Sequence, residues 1–198
     1  MSGEWGLPMT RPGAMPETRG GWRTIAADPP WRYQDRNTRL APDGQKRTAR
    51  GGYSTMTAAE ILALPIAEIA APRAHLYLWT TDAHLPLALE CINAWGFDWK
   101  RSIVWVKRGT SGKLAFGAGH YYRTAHELCL FATRGGLQAQ TRSLRTVFEA
   151  PRRAHSEKPA ELYRMAELVS PGPRLELFAR ALRPGWTTWG LECPEVAA

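Results

Sequence analysis

An acidic residue, two prolines and a tryptophan directly follow the first apolar segment of this chain. Thr24-Ile25-Ala26-Ala27 has the character of a strand, and Asp28-Pro29-Pro30-Trp31 comes immediately after it. Because proline has no amide hydrogen and holds φ near about −65°, the strand must end there and the chain must leave it along a stiff path. A carboxylate and a flat ring are thereby held at the carboxyl end of a strand, where open α/β sheets bind ligands. An ordinary surface turn is the alternative.

Strand and helix patterns alternate along the rest of the chain. Apolar runs predict strands over 75–80, 102–106, 127–132, 144–148, 175–179 and 187–190, and apolar spacing predicts helices over 57–64, 85–95 and 159–169. The segment 102–106 is almost wholly apolar, which is typical of a parallel strand covered on both faces. The chain is therefore predicted to be an α/β protein with a mostly parallel sheet and helices on both faces.

Local signals predict where the helices begin and end. Thr57-Ala58-Ala59-Glu60 has the spacing of a capping box, and Pro65 is expected to end the helix that this box starts. Gly96 is expected to end the second helix, and Pro159 to lie near the first turn of the third.

Length and composition indicate one domain preceded by a short tail. Residues 1–20 have no periodicity and are predicted to be a flexible tail, with 21–198 as a single domain. The tail lacks the apolar segment of a signal peptide, and no run approaches the roughly 20 apolar residues of a membrane span. The cysteines, Cys91, Cys129 and Cys193, are far apart, so we expect reduced thiols in a cytoplasmic protein without membrane contact.

Two long basic segments indicate the kind of partner. Residues 32–52 and 108–123 are too long and polar for structural turns. Both follow predicted strands, so in a parallel sheet they would project from the same edge as Asp28. Together with a net charge of +8 and nine tryptophans, they favour a nucleic acid bound by electrostatics and base stacking. A basic surface without a partner is the alternative.

The residues after the first strand suit methyl transfer to an exocyclic adenine amine. The chain lacks the sequence motifs of phosphate-binding loops, dinucleotide-binding folds, zinc proteases and serine hydrolases. The adenine amine is a poor nucleophile until acceptors bind its protons, and Asp28 and the Pro29 carbonyl are such acceptors. Pro30 removes a competing donor, and Trp31 offers a ring that could stack on a base flipped out of its helix.

These residues resemble the motif of the MT-A70-like family, S-adenosylmethionine-dependent adenine-N6 methyltransferases of RNA and DNA. The similar segments run in order between Arg23 and Glu192: Ala27–Trp31, Gly52–Met56, Leu76–Thr80, Ala94–Phe97, Ile103–Lys107, Gly119–Tyr121, His126–Leu130, His155–Pro159, Glu176–Arg180 and Pro184–Trp186. The resemblance implies the Rossmann-like fold of class I methyltransferases and S-adenosylmethionine as the cofactor.

The resemblance also implies roles for matched residues. The catalytic residues would be Asp28, Pro29, Pro30 and Trp31. The substrate would be bound by Tyr53, Glu127, Lys158 and Trp31, and the methyl donor by Asp28, Lys158, Glu176, Arg180 and Glu192. No metal is implied, and the spacing of His120, His126 and His155 is not a ligand pattern.

Several of these residues have structural alternatives. Tyr53 could be a packing residue, Glu127 could form a structural salt bridge, and Glu176 could pair with Arg180. Leu191 departs from the family pattern at a position that is often polar, so Glu192 is the better candidate for donor binding.

The sequence therefore predicts an enzyme that methylates the N6 amine of adenine in a nucleic acid. DNA is favoured over RNA because the small size resembles bacterial or phage members of the family. An RNA methyltransferase and a non-catalytic nucleic-acid-binding subunit of the same fold are the alternatives. Either a homodimer or a complex with a partner subunit is compatible with the sequence.

Overall fold

The computed structural model describes residues 13–32, 55–117, 121–152, 157–191 and 193. Its strands are β1 (Trp22–Ala27), β2 (Ala70–Thr80), β3 (Asp98–Arg108), β4 (His126–Arg134), β5 (Val147–Pro151), β6 (Arg174–Leu177) and β7 (Thr187–Trp189). Its helices are α1 (Ala58–Leu62), α2 (Ile66–Ile69), α3 (Leu85–Ala94) and α4 (Ala160–Val169), and a 3-10 helix covers Asp82–His84.

These strands form one sheet in the order β5-β3-β4-β2-β1-β6-β7. Strand β1 is parallel to β2 and β6, β3 is parallel to β5, and β6 is parallel to β7. Strand β4 is antiparallel to both of its neighbours, β2 and β3. All the strands except β4 therefore run in one direction, and their carboxyl ends meet the amino end of β4 at one edge. We call it the site edge, because Asp28 lies there.

The position of β4 corrects one expectation from the sequence. The apolar run within β3 was predicted to belong to a strand with parallel neighbours, yet β3 is antiparallel to β4 and parallel only to β5. Burial on both faces makes a strand apolar whichever way its neighbours run, so composition does not report direction. The segment after β3 still projects from the site edge, as predicted, and it returns as a hairpin into β4.

Side chains that alternate along the central strands fill two cores, one on each face of the sheet. One core contains Ile25, Leu76 and Leu130 and is covered by α1, α2 and α3. The other contains Ala26, Tyr77 and Cys129 and is covered by α4. The helices thus lie on both faces of a mostly parallel sheet, which confirms the predicted Rossmann-like α/β fold.

The local start and stop signals act as the sequence predicts. The Thr57 N–H donates to Glu60 Oε2 at 2.8 Å, and the Glu60 N–H donates to Thr57 Oγ1 at 3.3 Å, which completes the capping box of α1. Gly96 follows α3 with a φ of 76°, a conformation that favours glycine. Pro65 separates α1 from the short α2, a helix that the sequence did not predict.

Strand β5 differs from its predicted position. The sequence predicts a strand over 144–148, whereas β5 is Val147–Pro151. Its backbone pairs with the end of β3, where Val106 is opposite Glu149 and Arg108 is opposite Pro151. Pairing with the outer part of β3 therefore fixes the position of β5, and the apolar pattern of its own sequence does not.

The segment just before β1 is tied to the domain. The Trp22 indole donates to the Pro16 carbonyl at 2.7 Å, the Trp189 indole donates to the Gly13 carbonyl at 2.9 Å, and Met15 packs against the core. Gly13, Met15 and Pro16 thus contact the domain, residues 1–12 lie outside the described residues, and the division into a flexible tail and a single domain stays a prediction. Cys91 and Cys129 are buried free thiols. None of the helices in the described part is long and apolar enough to cross a membrane.

Candidate active site

The segment after β1 forms a rigid corner at the site edge. The Trp31 N–H donates to the Pro29 carbonyl at 2.8 Å, which closes a three-residue turn around Pro30. The Met56 N–H, just before α1, donates to the Pro30 carbonyl at 3.0 Å. Two prolines and two backbone hydrogen bonds thus fix the direction in which Asp28 leaves the strand.

Trp31 anchors this corner from inside the protein. Its indole N–H donates to the Trp79 carbonyl at 3.0 Å, and its ring stacks on His84 with centroids 5.5 Å apart. Only 6% of Trp31 is exposed. The ring therefore packs in the core, and the stacking of Trp31 on a substrate base stays a prediction.

His84 is a residue of this corner that the sequence did not indicate. It ends the 3-10 helix after β2, and its ring nitrogens lie 3.3 Å from Thr81 Oγ1 and 3.2 Å from the Arg32 carbonyl. His84 thereby holds the backbone at Arg32, the residue that follows Trp31. A lone histidine near a strand end gives no signal of such a contact in the sequence.

Two lysines and two carboxylates alternate along the site edge. The Lys158 ammonium donates to Asp28 Oδ2 at 2.6 Å and lies 3.5 Å from Glu127 Oε2. The Lys107 ammonium donates to Glu127 Oε1 at 2.6 Å. The order along the edge is thus Lys107, Glu127, Lys158 and Asp28, a set that we call the charge chain. Its members come from β3, β4, the segment before α4, and the end of β1.

Burial and the alternating charges together set the pKa values of the charge chain. Burial raises the pKa of Asp28 above the ordinary value of 3.8, although Lys158 opposes the shift. Burial also disfavours the charged form of Glu127, but Lys158 and Lys107 outweigh it and lower the pKa of that carboxyl. Burial disfavours the Lys158 cation, but Asp28 and Glu127 outweigh it and raise the pKa of that ammonium. The Lys158 side chain is therefore protonated, and it lies between two carboxyl groups.

Glu176 lies on the same face of the sheet as the charge chain and has partners that the sequence did not reveal. The Tyr163 hydroxyl of α4 donates to Glu176 Oε1, and Arg183 Nε donates to Glu176 Oε2 at 3.0 Å. The Arg183 guanidinium also stacks over the Tyr163 ring at 3.4 Å. Glu176 thus forms an ion pair with Arg183, whereas Arg180 was the partner considered from the sequence.

The remaining predicted residues divide into those near the charge chain and those outside the described residues. The positive charge of Arg180 acts on both Asp28 and Lys158, so Arg180 lies close to the charge chain. Tyr53 and Glu192 lie outside the described residues, as does most of the basic segment 32–52. In the described residues no cluster of three or more His, Cys, Asp or Glu side chains could hold a metal ion.

Fold and site together define the Rossmann-like methyltransferase class: a mostly parallel sheet carries an acid-proline-proline corner beside a partly buried lysine. The MT-A70 family profile matches residues 22–192, so the match covers the sheet and the whole charge chain. The chain belongs to the MT-A70 family.

Relatives in this family come from animals and from bacteria. The chain is 34% identical to the N(6)-adenosine-methyltransferase subunit METTL3 of Danio rerio and 33% identical to the human catalytic subunit METTL3, each over 177 residues, 86% of this chain and 28% of the relative. It is 30% identical to the type II methyltransferase M.MunI of Mycoplasma sp over 192 residues, 89% of this chain and 80% of the relative. The chain thus spans less than a third of either METTL3 relative.

Proposed function

We propose that this protein is an S-adenosylmethionine-dependent methyltransferase that acts on the N6 amine of adenine in a nucleic acid. One observation carries the proposal: the partly buried Asp28 carboxylate is held by Lys158 at 2.6 Å, beside the Pro29 carbonyl and at the end of a strand. DNA is the proposed polymer and RNA is the alternative. Both stay in view because one relative is named as a type II methyltransferase and others as N(6)-adenosine-methyltransferases. The buried thiols fit the predicted cytoplasmic location.

The corner has the two acceptors that this chemistry needs. Lys158 fixes the orientation of the Asp28 carboxylate, and the Pro29 carbonyl accepts one hydrogen bond within the corner while a carbonyl oxygen has two lone pairs. Acceptors that bind both protons of the adenine amine localise its lone pair on nitrogen, which raises its nucleophilicity. The acceptors are in place before the substrate arrives, which is how an active site stabilises developing charge most effectively.

The residues of the site edge also fit S-adenosylmethionine, which supplies an electrophilic methyl group when it is bound. Lys158 and Arg180 are cations suited to the carboxylate of such a donor. Glu176 suits ribose hydroxyl groups, because each of its oxygens can accept a hydrogen bond beyond the one it receives from Tyr163 or Arg183. Glu192 and Tyr53 remain proposed contacts of the donor and the base.

The proposal is tested at Asp28. We expect Asp28→Asn to keep the fold and to lower methyl transfer at least about a hundredfold, because one charged acceptor becomes an amide. DNA and RNA pools are incubated with labelled donor, digested to nucleosides and analysed for N6-methyladenine. Asp98→Asn is the matched control, because Asp98 begins β3 at the opposite edge with a side chain that is 79% exposed. Full activity of Asp28→Asn would refute the mechanism.

The same assay separates the alternatives. Label in adenosine from RNA alone would make RNA the substrate. If the wild-type protein bound nucleic acid without transferring label, a non-catalytic subunit would replace the enzyme.

We further propose that the protein works as a homodimer or with a partner subunit, since the METTL3 relatives are named as subunits. Sedimentation of the full chain, alone and with nucleic acid, tests this. A single monomeric species that methylates at full rate would exclude it.

A further inference from the structure

Among the described residues of the hairpin between β3 and β4, three aromatic side chains are exposed. Tyr121 is 96% exposed, Tyr122 is 90% exposed and Phe116 is 75% exposed. Large rings are rarely left in water to this extent, and when they cluster on a surface they usually mark a binding site. We call Phe116, Tyr121, Tyr122 and the adjacent Arg123 the aromatic loop.

Backbone hydrogen bonds hold the base of this hairpin. The Lys107 N–H donates to the Ala125 carbonyl at 2.8 Å, and the Gly117 N–H donates to the Thr124 carbonyl at 2.9 Å. A Cβ atom on Gly117 would lie 2.4 Å from the Thr124 carbonyl oxygen, so only glycine allows the two strands of the hairpin to approach this closely. The aromatic loop is therefore presented on a closed, ordered base.

The cations around the aromatic loop differ in their surroundings: one is paired with a carboxylate, and two are exposed. Arg108 donates two hydrogen bonds to the Glu149 carboxylate, at 2.9 and 2.6 Å, so it braces the hairpin against β5. The Arg123 guanidinium lies 5.5 Å from the centre of the Phe116 ring. Arg123 and Lys113 are exposed. The aromatic loop and the nearby Lys113 thus combine exposed rings with exposed cations, the combination that binds unpaired bases and their phosphates.

The hairpin belongs to the same edge of the sheet as the charge chain. Tyr122 precedes Glu127 by five residues, which is at most about 18 Å of extended chain. Nucleotides next to a base held at Asp28 therefore lie within reach of the aromatic loop. Only unpaired bases can offer their faces to Tyr121 and Tyr122, because the faces of paired bases are covered by their neighbours in the duplex.

We propose that the aromatic loop stacks on unpaired bases flanking the target adenine, so that the substrate is single-stranded or locally opened nucleic acid. This inference rests on the proposed function, since it takes the nucleic acid to be the substrate of the charge chain. Stacking on bases is tolerant of sequence, so the aromatic loop would contribute affinity and the choice of unpaired strand, with little preference among bases.

Binding of a labelled oligonucleotide tests the proposal without methyl transfer. Fluorescence anisotropy is measured with the full chain, a short single strand that contains one adenine, and the duplex of the same sequence. We expect the double variant Tyr121→Ala/Tyr122→Ala to bind the single strand about tenfold more weakly or worse, with duplex binding unchanged. Because stacking does not release counterions, the salt dependence of binding should keep its slope.

Three matched variants sharpen the result. Tyr121→Phe/Tyr122→Phe keeps the rings and should restore binding of the single strand. Trp99→Ala removes an exposed ring at the opposite edge and should have no effect, since Trp99 is the second residue of β3 and is 49% exposed. Lys113→Gln should reduce the salt slope by about one while leaving the preference for the single strand intact.

Three outcomes would overturn the inference. Unchanged binding by the double alanine variant would show that the rings of Tyr121 and Tyr122 do not contribute to binding. An equal loss with the duplex would show that stacking on unpaired bases is not involved. A changed sedimentation coefficient with unchanged oligonucleotide binding would identify the aromatic loop as a contact with another protein chain. Failure of the proposed function would give a different result. No N6-methyladenine would form, even if the oligonucleotides bound as expected and Asp28→Asn bound them like the wild type.

Discussion

At the scale of single residues, the charge chain explains what opposes protonation of the partly buried Asp28 carboxylate at the site edge. A lone buried carboxylate tends to take up a proton, because burial disfavours its charged form. Lys158 offsets that tendency at Asp28, and Glu127 offsets the matching tendency at Lys158. Lys107 in turn binds Glu127 at 2.6 Å. The protonation of Asp28 therefore depends on Lys107 through two intervening residues, Glu127 and Lys158.

Lys107 should accordingly act as a positioning residue. We expect Lys107→Met to lower kcat about tenfold with a smaller effect on KM, and to reduce the free energy of unfolding by about 1–3 kcal/mol, since the carboxylate loses a partly buried partner. Steady-state methylation and urea unfolding measure the two effects. Lys100→Met is the control, because Lys100 has only an exposed 3.8 Å pair with Asp98, and its loss should change stability by less than about 1 kcal/mol. Equal behaviour of the two variants would contradict the positioning role.

The sequence predicts the identity of most charge-chain residues but not their partners. Asp28 was predicted from its place at the end of a strand, whereas Glu127 and Lys158 were predicted because their segments resemble motifs of the family. Lys107 lies in such a segment too, yet nothing local shows that it reaches across to β4. Which of two nearby arginines pairs with a given acid depends on backbone direction after a strand. Phe178, with a φ of 62°, turns the chain after β6, and the pair forms with Arg183.

At the scale of elements, α1 supports the corner from outside. Its capping box begins one residue after Met56, whose N–H binds the Pro30 carbonyl, and an isolated bridge joins Trp31 to Met56. The first turn of α1 and the corner are therefore fixed by adjacent backbone groups. A short helix of five residues depends strongly on its cap, because it has few internal hydrogen bonds.

Removing this cap should weaken the protein measurably. We expect Thr57→Ala to reduce the free energy of unfolding by about 1 kcal/mol, since the Glu60 N–H loses its acceptor. Thr57→Ser retains the hydroxyl oxygen and should stay within about half of that loss. Thermal and urea unfolding compare the three proteins. If the alanine and serine variants were equally stable, the capping hydrogen bond would not contribute.

Element types were easier to predict from the sequence than element directions. The capping box of α1, the glycine after α3 and the apolar face of α4 are local patterns, so they could be predicted. The reversed direction of β4 is a property of the whole sheet, since it follows from the hairpin with β3 and from pairing with β2. The short α2 has only four residues, too few for a periodic pattern.

At the scale of the whole molecule, a buried polar cluster joins both halves of the chain. His75 Nδ1 lies 2.7 Å from Ser170 Oγ, the Tyr77 hydroxyl lies 2.8 Å from the same oxygen, and His75 Nε2 lies 3.0 Å from the Leu137 carbonyl. The cluster links β2, the end of α4 and the segment after β4. Neutral His75 satisfies every contact when Nε2 donates to Leu137 and Nδ1 accepts from Ser170.

This cluster should make the stability of the fold depend on pH. Burial lowers the pKa of His75 below the ordinary 6.5, with the charge of Arg23 acting in the same direction and the Leu137 carbonyl opposing it. The unfolded chain therefore binds a proton more readily, so stability is full above about pH 6.5 and falls as the pH drops through the folded-state pKa. Urea unfolding midpoints of the wild type should decline across this range.

A substitution isolates the contribution of His75. His75→Leu should be less stable at neutral pH, because Ser170 and Leu137 lose a partner. Its unfolding midpoint should nevertheless vary less between neutral and mildly acidic pH than that of the wild type. Parallel curves for the two proteins would assign the pH dependence to other groups.

Because β4 runs antiparallel to β3, the segment between these two strands is a self-contained hairpin. Because β3 and β4 are adjacent and joined through a hairpin, the segment between them begins and ends at one place, closed by the Gly117–Thr124 backbone contact. A change in the length of such a closed loop alters the free energy of closing it only slowly, by about 0.6 kcal/mol for each doubling. Insertions, deletions or grafts there leave the strand order and the charge chain in place. If the proposed function holds, exchanging this one hairpin would change which polymer is accepted and leave the charge chain intact.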